Sequence, residues 1–136
     1  MDHPAVDLKD RSKKFALRVL KVVRSLPSNA EGRVLSNQLL RSATSVAANY
    51  RAVCRARSRA EFLSKLAIVI EEADETAFWL EFLAEGALVP EPRLRDLISE
   101  ANQLVAIFNA SRSTARKGVH STINNQNSTI SGKKVS

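Results

Sequence analysis

The chain has 136 residues, 44% of them apolar, a formal net charge of +7 and one cysteine. That length suits a single domain with a real core, and a lone cysteine excludes an internal disulfide framework and fits a reducing compartment. No apolar run is long enough to cross a bilayer, and the charged stretch from Asp2 to Lys14 lacks the apolar core of a secretion signal, so a cytoplasmic protein is expected.

Four Gly, four Pro and few aromatics, against many Ala, Leu, Val, Arg and Glu, favour an all-α protein. Residues 1–7 are read as a flexible arm. Asp7 is a plausible cap for helix 1, over roughly 8–26, whose apolar stripe is Phe15, Val19, Val22 or Val23 and Leu26, ending at Pro27. Pro27, Ser28, Asn29 and Gly32 make a turn. Helix 2 runs from about Glu31 or Arg33 to Arg57, with Leu35, Leu39, Val46 and Val53 on one side. Small residues from Ser42 to Ala48 let a neighbouring helix come close. Asn49 shares the face of Ser42, where its amide would tie helix 2 to a neighbour.

Ser58-Arg59-Ala60-Glu61 has the form of a capping box and opens helix 3, with an inward stripe of Phe62, Leu66, Val69, Ala73, Thr76, Leu80 and Leu83. Phe78, Trp79 and Phe82 exceed what one core face can hold, so a loop or another subunit is expected to cover them. Gly86 supplies a stop. Pro90 and Pro92 flank the start of helix 4, which needs Leu94, Leu97, Ile98, Ala101, Leu104, Val105 and Phe108. Periodicity fades after Ala110, and the polar composition of 116–136 predicts a disordered tail. The result is an antiparallel up-down-up-down four-helix bundle over 8–115, with neighbours inclined by about 20°.

The charge is unevenly placed. Helix 1 carries Lys9, Arg11, Lys13, Lys14, Arg18, Lys21 and Arg24, and Arg51, Arg55, Arg57 and Arg59 gather around the end of helix 2. No Lys or Arg occurs between Leu66 and Glu91, where Glu71, Glu72, Asp74, Glu75, Glu81 and Glu85 cluster. Guanidinium groups suit phosphate oxygens, and Tyr50 beside them would offer a ring for an unpaired base. The nucleic-acid contact is therefore assigned to Arg41, Arg51, Arg55, Arg57, Arg59, Lys14, Arg18 and Lys21. It would be phosphate-dominated, since no helix-turn-helix, zinc-finger or RNP signature is present. An acidic strip of Glu71, Glu72 and Glu75 with Phe78, Trp79 and Phe82 would meet the basic surface of a second copy, either as a heterologous contact of the kind that closes rings or reciprocally in a two-fold dimer; the residues do not choose between the two. Chemistry is not indicated. Di-metal bundles need Glu-x-x-His, absent here, so no metal and no cofactor are expected; Cys54 is read as a small packing residue. A protein-interaction scaffold is the rival reading, and a metal-dependent enzyme a distant third.

Three separated segments carry a resemblance: Gln38-Leu39-Leu40-Arg41-Ser42-Ala43-Thr44-Ser45-Val46-Ala47-Ala48-Asn49, then Ser58-Arg59-Ala60-Glu61-Phe62-Leu63-Ser64-Lys65-Leu66, then Glu71-Glu72-Ala73-Asp74-Glu75-Thr76. Together they resemble the four-helix-bundle proteins encoded in intervening sequences of bacterial 23S ribosomal RNA genes, over about Phe15 to Ala110. The resemblance implies a cyclic homopentamer, similar to the accessory variability proteins of diversity-generating retroelements, which form basic barrels that bind nucleic acid and a reverse transcriptase. It also implies that Arg41 and Asn49 are the motif residues of helix 2. Many members have Glu-Gly after that Asn; this chain has Tyr50-Arg51-Ala52, which adds basic charge.

Overall fold

In the computed structural model the backbone is described over residues 4–124 and the side chains over 8–118. Four helices make up the fold: α1 Pro4–Arg24, α2 Ala30–Val53, α3 Arg59–Glu85 and α4 Glu91–Asn124. There is no strand among the described residues. In chain order each helix packs on the next, and α4 closes onto α1 along the loosest seam. The turns at 25–29, 54–58 and 86–90 are short, so sequential neighbours are antiparallel, as the four amphipathic patterns demand.

Each boundary has a local cause. Asn29 sits in extended backbone and its Oδ1 accepts from Gly32 N at 2.8 Å, capping α2. Gly32 is required there, because a Cβ would lie 1.9 Å from the carbonyl oxygen of Pro27. The cap at α3 forms with one shift: Ser58 Oγ accepts from Glu61 N at 3.0 Å as expected, while Glu61 Oε1 reaches back past the N-cap residue to accept from Arg57 N at 2.9 Å. That cap also shortens α2. Ser58 must be extended to cap α3, so the chain leaves the helix at Val53 instead of Arg57.

At the other end of α3 the left-handed residue is Ala87, at φ 59°, one position beyond Gly86. Leu88 N donates to Leu83 O and Ala87 N to Ala84 O, the paired bonds of a Schellman motif. α1 starts at Pro4, inside the expected arm. α4 continues past residue 115 to Asn124 and takes in position His120. Once a packed helix is nucleated, each further residue adds a hydrogen bond, and no proline interrupts this one. Residues 1–3 of the expected arm and 125–136 of the expected tail lie outside the described residues.

The stripes converge on one core. Phe15, Val19, Leu39, Val46, Leu66, Val69, Leu80, Leu83, Leu94, Leu104 and Phe108 are fully or almost fully buried. Each such side chain contributes about 1.5–3 kcal/mol by leaving water. Val22, Val23, Leu26, Phe62, Ile98 and Val105 flank that core. One polar bridge crosses it. The hydroxyls of Ser42 on α2 and Thr76 on α3, both buried, are 2.9 Å apart and also reach Leu39 O and Glu72 O. Asn49 does not make that tie: its amide bonds Ser45 O and Ser45 Oγ, one turn back on its own helix. The α1–α4 seam is closed by Arg11, whose Nε and Nη2 grip Glu100 at 2.7 and 2.9 Å, with Gln103 alongside.

Candidate nucleic-acid interface

Between α1 and α2 lies an open groove of about 640 Å³. From α1 it takes Lys9, Lys13, Ala16, Leu17 and Leu20, and from α2 Leu40, Thr44, Ala47, Ala48, Arg51 and Arg55. Both sets follow the i, i+4, i+7, i+8 spacing of one helix face. Because Ala16, Ala47 and Ala48 are small, the surface stays concave. Antiparallel packing then brings the start of α1 against the end of α2, so Lys9 and Lys13 stand beside Arg51 and Arg55. None of these four cations pairs with a carboxylate among the described residues. The groove is thus apolar along its floor and positive at one end.

The other residues assigned to this surface are placed differently. Arg41 faces α3, where Nη1 meets Glu72 Oε1 at 3.2 Å and Nη2 meets Glu75 Oε2 at 2.6 Å. The two carboxylates hold its pKa above the ordinary value, so its charge is neutralised within its own subunit. Glu72 and Glu75 are correspondingly turned to that internal seam, while Glu71 is exposed. Arg57 lies 3.8 Å from Glu61 and Lys14 3.1 Å from Asp10, both exposed pairs one turn apart. Arg59 donates from Nη1 to Ala115 O at 3.3 Å, clasping α4. Arg18 and Lys21 are exposed on α1 but do not line the groove.

Tyr50 is in the core, 5% exposed, its ring 5.3 Å from that of Phe108. It therefore offers no surface to a base, and burial pushes its phenol well above the ordinary range, so it stays neutral. Cys54, expected to pack inside, is exposed at the end of α2. Desolvation beside Tyr50 raises its thiol pKa, opposed by Lys9 and by the hydrogen bond from Tyr50. A raised thiol is a weaker nucleophile at neutral pH.

Among the described residues no loop covers the aromatic cluster on α3. Phe78 is 52% and Phe82 46% exposed, with Trp79 half-buried between them in edge-to-face contacts at 4.9 and 5.8 Å. Trp79 Nε1 donates to Glu75 Oε2 at 3.2 Å. Among the described residues no group of three or more His, Cys, Asp or Glu could hold a metal ion, and no helix is long and apolar enough to cross a membrane.

Residues 5–110 match the 23S rRNA-intervening sequence protein family. The chain belongs to that family. Among solved structures it is similar to a Bacteroides thetaiotaomicron protein of unknown function from the S23 ribosomal protein family. That likeness has 32% identity, a TM-score of 0.73 and a coverage of 77% of this chain and 97% of the other. No curated protein gives a significant match. The family segment contains α1 to α3, the groove and the aromatic cluster, and it ends within α4.

Proposed function

We propose that this intervening-sequence family protein is a non-enzymatic, homo-oligomeric helical bundle that binds nucleic acid through the phosphate backbone. The observation that carries this reading is the cationic end of the α1–α2 groove, where Lys9, Lys13, Arg51 and Arg55 converge without a carboxylate to answer them among the described residues. Four like charges held together on two rigid helices raise each other's energy until an anion neutralises them. A polyanion does so while releasing its own counterions, which adds a salt-dependent driving force. With Tyr50 buried, recognition rests on phosphates and not on stacked bases.

The test is a salt titration of binding to a duplex DNA of arbitrary sequence. Replacing Arg51→Ala and Arg55→Ala together should reduce the slope of log affinity against log salt by about 1.8, at roughly 0.9 per lost phosphate contact. The same factor should apply to unrelated sequences. An unchanged slope and affinity would remove the assignment of the groove.

The exposed Phe78 and Phe82, with the half-buried Trp79 between them, favour a second reading, in which the bundle is a scaffold whose α3 face docks another copy or a partner enzyme such as a reverse transcriptase. The pentamer implied by the family resemblance is one such assembly. The two readings are compatible, since the aromatic face and the cationic groove are on different helices.

A further inference from the structure

Three cations in the later part of α4 border a second, open hollow. Among the described residues it is lined by one face of that helix, Asn109, Arg112, Ser113, Arg116 and Lys117, around a volume of about 400 Å³. Arg112 and Arg116 are one turn apart, a like-charge spacing that destabilises a helix. No carboxylate among the described residues relieves it. Arg112 is held in place instead: Nη2 donates to Asn109 Oδ1 at 2.7 Å, and the Asn109 amide is anchored on Val105 O at 3.0 Å. Two guanidinium groups, an ammonium and the Ser113 hydroxyl on one face make a donor set with the chemistry of a phosphate site.

Position makes this hollow more than a solvated patch. Arg59, the first residue of α3, clasps Ala115 O, so this part of α4 lies at the end of the bundle where α2 finishes. Arg55 of the groove and Arg59 are four residues apart, and so their Cα atoms are separated by at most about 14 Å. The cationic end of the groove and the α4 segment that Arg59 clasps are therefore at the same end of the bundle. Arg112, Arg116 and Lys117 also lie beyond residue 110, where the family match ends.

We infer that the α4 hollow is a second phosphate-binding site, which takes the backbone of the same nucleic acid that occupies the α1–α2 groove and holds it across the end of the bundle. This rests on the proposed function of the groove. The experiment uses the full chain and a duplex DNA of about two helical turns, roughly 20 base pairs, with anisotropy read over a salt series. Arg112→Ala with Arg116→Ala should lower the salt slope by about 1.8, and Lys117→Ala alone by about 0.9. Arg112→Lys with Arg116→Lys should restore most of the slope, because charge and not helix packing is what the site supplies. Circular dichroism melting identifies any variant that loses its fold, in which case the exposed Lys117→Ala decides. Wild-type slope and affinity in the alanine variants would overturn the α4 site while leaving the groove intact. Loss of binding in these variants, with none on substituting Arg51 and Arg55, overturns the groove and with it the bridging of the two sites. A wild-type chain that binds no duplex at low salt overturns both.

Discussion

Glu75 serves two donors with one oxygen: Arg41 Nη2 at 2.6 Å and Trp79 Nε1 at 3.2 Å both end on Oε2. The Arg41 hydrogen bond, helped by the indole and opposed by partial burial, holds its carboxyl below the ordinary glutamate value. A carboxyl lowered by folding stabilises the native state above its unfolded pKa, and that contribution disappears as the pH falls through the lowered value. Glu75→Gln should therefore reduce stability at pH 7, by less than about 1 kcal/mol because the pair is open to solvent. The gap from wild type should close in strong acid. Thermal melts at pH 7 and pH 3 check this, and a gap that persisted at low pH would assign Glu75 a packing role. The same contact explains why Arg41, which the family resemblance singles out on α2, is part of the α2–α3 seam and not of the cationic groove.

Elements end where their caps dictate. α3 finishes in a Schellman motif whose left-handed position falls on Ala87 at φ 59°, although Gly86 stands immediately before it. A Cβ in that conformation costs roughly 1–2 kcal/mol. Ala87→Gly removes the strain at some expense in unfolded-chain entropy, so a gain of about 0.5–1 kcal/mol is expected in urea unfolding. A loss would mean that the Ala87 methyl packs usefully. α4 shows the opposite behaviour, with a helix outlasting its apolar stripe. Beyond Ala110 the sequence has little apolar periodicity, yet the backbone continues to Asn124, carried by the packed turns before it and fastened at Ala115 by Arg59.

For the whole molecule the decisive feature is which helix ends meet. Up-down-up-down connectivity puts the start of α1, the end of α2, the start of α3 and the later part of α4 at one end, and all four contribute cations there. The aromatic face lies elsewhere: Phe78 is 19 residues along α3 from Arg59, or about 28 Å at 1.5 Å per residue. Association through that face would leave the cationic end open. If the proposed oligomer forms through that face, Phe78→Ser with Phe82→Ser lowers the mass measured by light scattering to that of a monomer while preserving helical circular dichroism. An unchanged oligomer would place the subunit contact on another surface.

Fold class, helix number, the α3 cap and most core positions were legible in the residues, because periodicity 3.6 and cap chemistry are local and each helix carries its own record of the buried face. Partner choice was not. Whether an arginine is free or paired depends on which helix stands beside it: Arg41 met Glu72 and Glu75 some 31 and 34 residues away, while Arg51 and Arg55 met Lys9 and Lys13. Tyr50, adjacent in sequence to the exposed Arg51, turned into the core against Phe108 because helical neighbours point about 100° apart. The sequence thus determined four amphipathic helices and their total charge, and only the tertiary arrangement decided which charges cancel, since cancellation is set by distances across the bundle that no single helix encodes.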